Sequence, residues 1–171
     1  MKRTALTLAF LVGWMFVVPM GMAQKSYDVE HAELAKALHS AKISLQRGLT
    51  ASAKEGKPIS AKYEVEHGML QLSVYTMKGD KFSEVIVDHQ TGKVAKAESI
   101  TGGEDLTAAK AQGEAMGKAK RSLVAAASAA ANENKGYRVV SVMPALKDGH
   151  PVADVTLVKG TEWKSVTEKL D

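Results

Sequence analysis

The sequence predicts an α+β protein of two small units, each a helix packed on a three- to four-stranded antiparallel sheet. Two observations carry this prediction. Residues 78–85 return 81 positions later as residues 159–166, with the same Lys-Gly turn and an aromatic residue at the same place. Before each of these segments the sequence shows one helical pattern and then stretches in which apolar and polar residues alternate. The order of helix and strands is therefore repeated as well.

The first residues have the form of a secretory signal peptide. Two basic residues precede an apolar stretch over residues 5–18, and small residues follow it before Gln24. This pattern predicts residues 1–23 as the signal, with cleavage between Ala23 and Gln24. The stretch is shorter than the roughly 20 apolar residues of a spanning helix, so cleavage is preferred over a retained anchor. We therefore expect a bacterial periplasmic or secreted protein, without stable membrane insertion after cleavage.

Composition excludes several function classes. The chain has no Cys, which excludes disulfides, thiol nucleophiles and thiolate metal sites. Its formal net charge is +4, and its charged residues are spread over both halves. A nucleic-acid binder would instead concentrate Lys and Arg on one face, so no nucleic-acid partner is expected.

The first unit is predicted over residues 24–101. Its helix, residues 29–54, is indicated by apolar residues at three- and four-residue spacing: Leu34, Leu38, Ala41, Leu45 and Leu49. Apolar and polar residues then alternate from Ile59 to Glu66, as in a half-buried strand. Gly-containing turns separate it from strands over residues 69–77 and 82–88.

The second unit is predicted over residues 102–171, after a Gly-rich linker. An Ala-rich helix is expected over residues 104–133, followed by strands over residues 137–146, 150–159 and 162–170. Ser44-Leu45 matches Ser122-Leu123 at a spacing of 78. Because the spacing becomes 81 later, we expect three extra residues in the second copy after the first hairpin.

The first unit resembles the PepSY domain family, which also occurs in the propeptides of thermolysin-like metallopeptidases. The likeness rests on the helix with Ala37, Leu45 and Leu49 before a Lys-Pro-Ile strand, on the hairpin of residues 63–66 and 70–75, and on residues 85–94. The last segment is similar to the family pattern V-x-V-D-x-x-T-G-K-V. Its turn residues are Asp88, Thr91, Gly92 and Lys93, and the second copy lacks the Thr-Gly-Lys turn.

The resemblance implies a tandem of small periplasmic modules that bind another polypeptide and regulate or inhibit a peptidase. No residue pattern predicts catalysis, since the chain has no Gly-x-Ser-x-Gly elbow and no phosphate loop. No enzyme, cofactor or metal is therefore expected. The alternative is a structural or metal-handling envelope protein that uses the turn histidines His67, His89 and His150, if these converge.

Overall fold

A computed structural model describes residues 20–171, with side chains from residue 29 onward. The described chain is α+β, as predicted. Its helices are α1 Met20–Ala37, α2 Leu45–Ser52, α3 Gly103–Lys118 and α4 Leu123–Glu133. Its strands are β1 Lys57–Glu66, β2 Met69–Lys78, β3 Lys81–Val87, β4 Val94–Ile100, β5 Arg138–Lys147, β6 His150–Lys159 and β7 Glu162–Lys169. Most of the predicted signal peptide lies outside the described residues.

The strands form one antiparallel sheet in the order β4-β3-β2-β1-β5-β6-β7, and not two sheets in separate units. The sequence predicted a sheet for each unit, whereas the structure places the strands of both copies in this one sheet. The two copies join where β1 pairs with β5, through Ala61 opposite Val142 and Lys62 opposite Ser141. The buried side chains of both copies then share one core. A single copy of this size would bury a smaller fraction of its surface than a larger domain and would be only marginally stable, which favours the shared sheet.

The predicted first helix is interrupted. After α1 the chain forms a short 3-10 turn, and Ala41 takes an extended conformation. The backbone N–H groups of Lys42 and Ile43 both donate to the carbonyl of His89, at 2.9 and 3.2 Å. Ser44 then caps α2 by accepting the N–H of Arg47. The apolar spacing continues across this break, which explains why the sequence predicted one helix.

The predicted second helix is interrupted in the same way. Between α3 and α4, the N–H groups of Lys120 and Arg121 donate to the carbonyl of Leu170, at 2.7 and 2.9 Å. Ser122 accepts the N–H of Ala125 and caps α4. Both serine caps thus lie at the repeat spacing of 78 noted in the sequence.

The three extra residues of the second copy do not lie after the first hairpin. The pair Ala61–Val142 already has the spacing of 81, so the change from 78 precedes β1. The helix α4 has 11 residues where α2 has 8, and this difference accounts for the three residues. They extend a helix, where added residues form hydrogen bonds within the helix and leave the sheet register unchanged.

The helices cover the sheet from both sides. We call the front face the side of Ala61, Leu72 and Val142, where α2 lies so close that Gly48 contacts Leu72. The opposite, back face carries the side chain of Ser60, which donates to Gln112 of α3 at 2.7 Å. The aromatic residues at the matched positions of the repeat, Phe82 and Trp163, lie on the back face as well. Phe82 is buried, whereas Trp163 is half-buried and stacks on His31 of α1 with ring centroids 4.0 Å apart.

Candidate functional site

The predicted family turn connects β3 to β4. The Asp88 carboxylate accepts the N–H groups of Gln90 and Thr91 at 2.8 and 2.9 Å, and these bonds lower the pKa of that carboxyl. Gly92 has a φ of 74°, a conformation that favours glycine, and its N–H donates to the Asp88 carbonyl. The carbonyl of Lys93 accepts the N–H of Asp88 at 2.9 Å. These residues position β4, and they point no reactive group at a cavity.

The strand β4 is an open edge of the sheet. It pairs with β3 on one side, and within the described chain no strand lies on its other side. The five residues between its ends are all exposed, and they are Ala95, Lys96, Ala97, Glu98 and Ser99. An edge strand presents backbone N–H and C=O groups to which an extended polypeptide can add.

The other edge, β7, is more enclosed. Its residues Trp163, Val166 and Glu168 are half-buried. The carbonyl of Lys169, the last residue of the strand, accepts a hydrogen bond from the Arg121 guanidinium at 2.7 Å. Because Arg121 and His31 contact β7, whereas the five central residues of β4 are all exposed, β4 is the more open of the two edges.

A polar cluster lies on the back face, between β1, β2 and β3. Lys62 and Glu64 form an ion pair at 2.5 Å, and Ser73 donates to Glu64 at 2.8 Å. Tyr75 donates to Glu84 at 3.3 Å. Burial raises the pKa of the Glu84 carboxyl, and the neighbouring Glu64 carboxylate raises it further. The cluster therefore places the Glu64 carboxylate near the partly buried carboxyl of Glu84.

The helix α3 brings one more carboxyl to this cluster. Burial raises the pKa of the Asp105 carboxyl, Lys62 lowers it, and Glu64 raises it. The Oδ1 atom of Asp105 is buried without a hydrogen-bond partner among the described atoms. The sequence interpretation missed this cluster because it placed Lys62 and Glu64 on a solvent-facing side of the strand. The sequence shows charged residues at alternate positions of β1, but it does not show that a helix packs over them.

Arg138 is a second residue that the sequence interpretation missed. Its guanidinium donates to the carbonyls of Leu38, Ala41 and Ile43, at distances between 2.6 and 3.2 Å. It also lies over the ring of Tyr63, 5.3 Å from the centroid. These contacts connect the segment from Leu38 to Ile43, which follows α1, to the start of β5.

The turn histidines do not converge. His67 follows β1 and His150 follows β5, and these strands are antiparallel neighbours, so the two turns lie at opposite ends of the sheet. The Nδ1 atom of His150 lies 3.0 Å from the Asp171 carboxylate. Among residues 20–171, no three His, Asp or Glu side chains lie where they could hold one metal ion. The alternative that grouped the histidines into one site has no geometric basis.

Comparisons of the chain with family models, with curated proteins and with solved structures give no match. The likeness to the PepSY family therefore rests on the residues that suggested it. Among the described helices, none combines the length and the apolar character that crossing a membrane requires. The predicted cleavage site, Ala23 and Gln24, lies near the start of α1 and stays a prediction.

Proposed function

We propose that this protein is an exported, non-enzymatic module that binds another polypeptide by adding an extended segment of it to β4. The observation that carries the proposal is the open edge of β4, with five consecutive exposed residues. Backbone hydrogen bonds would supply the affinity, and the side chains along the strand would supply the selectivity.

The side chains of β4 suit such an addition. Ala95, Ala97 and Ser99 are short, so an incoming strand meets little steric hindrance along that side of β4. On the other side, Lys96 and Glu98 pair with each other at 2.8 Å. An edge with charged residues resists non-specific pairing between copies. This combination favours a partner whose own charges complement the Lys96–Glu98 pair.

The resemblance to the PepSY family makes a peptidase of the cell envelope the first partner to test. An extended segment of the peptidase would pair with β4, and the protein would regulate or inhibit it by occupying or distorting its cleft. The polar cluster on the back face has no part in this proposal, since it lies between β1, β2 and β3 rather than at the edge.

The experiment uses residues 24–171 and a synthetic library of unstructured ten-residue peptides, together with purified envelope peptidases. Binding is measured first, and amide hydrogen exchange is then followed with and without the tightest ligand. We expect slower exchange in residues 94–100. Strand addition at β4 is refuted if no peptide and no peptidase binds. It is also refuted if the tightest ligand leaves the amides of residues 94–100 unprotected.

A proline at the centre of each edge supplies a matched pair of variants. Ala97→Pro removes a backbone donor from β4, and Ser165→Pro does the same in β7. We expect Ala97→Pro to weaken binding at least tenfold and Ser165→Pro to leave it unchanged. Circular dichroism and thermal unfolding check that both variants fold. Equal losses in the two folded variants would contradict the assignment to β4.

A further inference from the structure

A cleft of about 410 Å³ lies between α2, the start of β1 and the connection from α3 to α4. We call it the second cleft, because it lies at the start of α4, which belongs to the second copy of the repeat. Its apolar lining has a buried part, Leu49, Met116 and Leu123, and a part that keeps exposed surface, Ala53, Pro58, Ala119 and Val124. The volume is near the lower end of the roughly 300–1,000 Å³ range of ligand pockets. The cleft therefore has room for a group the size of about one or two amino-acid residues.

The repeat places a related cleft in the other half of the molecule. This first cleft has a volume of about 400 Å³ and is lined by residues at the repeat spacing from those of the second. The matched pairs are Ala41 with Ala119, Lys42 with Lys120, Ser44 with Ser122, and Gln46 with Val124. The matched residues of the first cleft are therefore controls for their counterparts in the second.

The two clefts differ in chemistry. Gln46 and Arg138 line the first cleft, and both are engaged, Gln46 with the carbonyl of Ala127 and Arg138 with three backbone carbonyls. The corresponding positions of the second cleft are Val124 and Lys57. Lys57 makes one hydrogen bond, to the carbonyl of Met116 at 2.7 Å. The second cleft thus offers the apolar side chain of Val124 where the first carries the hydrogen-bonded Gln46.

The rim of the second cleft is positively charged. Lys57, Lys120 and Arg121 line it, and no Asp or Glu is among its lining residues. Arg121 lies 3.5 Å from Glu168, which offsets part of its charge, whereas the side chain of Lys120 is exposed. The first turn of α4 contributes Leu123 and Val124 to the lining, and the helix dipole adds positive potential there. An apolar group that carries one negative charge complements this arrangement.

We propose that the second cleft binds the C-terminal residue of a polypeptide. An apolar side chain enters beside Pro58 and Val124, and the terminal carboxylate pairs with Lys120. Capture of a C-terminal carboxylate is one of the established modes of peptide recognition. The proposal does not depend on strand addition at β4, because no residue of β4 lines the cleft.

The test compares three ligands by calorimetry and by NMR chemical shifts. They are a pentapeptide acetyl-Gly-Gly-Ala-Ala-Leu with a free carboxylate, the same peptide as its amide, and octanoate. We expect the free carboxylate to bind at least tenfold more tightly than the amide and to shift the amides of Ala119 and Val124. Binding of neither peptide, or equal binding of both, overturns the proposal. Tighter binding of octanoate than of the peptide also overturns it, because the site would then select fatty acids.

Variants at matched positions test the location. Lys120→Ala removes the proposed carboxylate partner, and Lys42→Ala makes the same change in the first cleft. Val124→Trp fills the second cleft, and Gln46→Trp is its counterpart. We expect the two changes in the second cleft to weaken peptide binding at least tenfold, with little effect from the two in the first. Lys120 is exposed, so its replacement leaves the fold intact, and equal losses in both clefts would exclude the second cleft as the site.

Discussion

Ala61 of β1 lies directly opposite Val142 of β5, and the two residues occupy the same position in the repeat. Both are fully buried. A pair of equivalent residues on neighbouring antiparallel strands places an approximate twofold axis between them. The same symmetry relates Ser44 to Ser122 and the carbonyl of His89 to the carbonyl of Leu170. The repeat is therefore expressed as two halves of one sheet with one core.

The shared sheet predicts that both halves unfold together. Val142→Ala removes buried methyl groups at the junction and should lower the free energy of unfolding by roughly 2 kcal/mol. The fluorescence of Trp163 reports on the second half, and hydrogen exchange of β1–β4 reports on the first. We expect both probes to give the same denaturation midpoint in the wild type and in the variant. Two separate midpoints would show that the halves are independent domains.

The contact between α2 and the front face predicts a cost for Gly48→Ala. A Cβ atom at Gly48 would lie 2.5 Å from the Cδ2 atom of Leu72, which is fully buried, so the Leu72 side chain would have to shift within the packed core. We expect a loss of about 1–3 kcal/mol in unfolding free energy from overpacking. The control is Gly117→Ala in α3, where no atom lies within 4 Å of the added group. That change should stabilise the protein by up to about 1 kcal/mol, as measured by urea denaturation.

Arg138 and Lys57 are equivalent cations that hold different numbers of carbonyls. Arg138→Met leaves the carbonyls of Leu38, Ala41 and Ile43 without its guanidinium and should cost roughly 1.5–3 kcal/mol. Lys57→Met removes one hydrogen bond from an exposed side chain and should cost about 1 kcal/mol or less. Thermal unfolding of the two variants checks this order. A larger loss for Lys57→Met would contradict it.

The two serine caps should be of similar strength. Ser44→Ala and Ser122→Ala each remove the oxygen that accepts a backbone N–H at the start of a helix. We expect each to lower the unfolding free energy by about 1 kcal/mol. The two serines lie in different halves without a shared partner, so the double variant should show the sum of the two losses. Replacement by Thr, which also caps helices, should restore most of the stability in each case.

Glu84 predicts a pH dependence whose direction follows from its surroundings. Its pKa is raised in the folded protein by burial and by Glu64, so folding disfavours the ionised form. The resulting stabilisation is full below the unfolded value of 4.5 and is lost as the pH rises to the folded pKa. Stability of the wild type relative to Glu84→Gln should therefore fall as the pH rises from 4.5. The measurement is urea denaturation of both proteins across the pH range.

Asp88 provides the opposite case as a control. Backbone N–H groups lower the pKa of its carboxyl, so its contribution is present above the unfolded value of 3.8 and is lost as the pH falls. Stability of the wild type relative to Asp88→Asn should therefore fall toward acid pH. Curves of the same direction for both variants would show that the pH dependence arises elsewhere.

The strands were predictable because their signals are local. The alternation of apolar and polar residues predicted β1. The Lys-Gly pairs predicted two turns, in which Gly79 and Gly160 both have a φ of 60°. The helix breaks were not predictable, because apolar spacing continues through Ala41 and the extended conformation there depends on the His89 carbonyl, far along the chain. The polar cluster was missed for the same kind of reason, since α3 covers Lys62 and Glu64 from another part of the sequence.

The sequence by itself determined the repeat, the order of helix and strands in each copy, and the turns, since each depends on neighbouring residues. Tertiary structure decided how the copies meet. The pairing of Ala61 with Val142 depends on burying two apolar faces in one core, a gain that no local pattern encodes. Tertiary structure also decided which surfaces remain open, because β4 is an edge and the second cleft exists only once all strands and helices have taken their places.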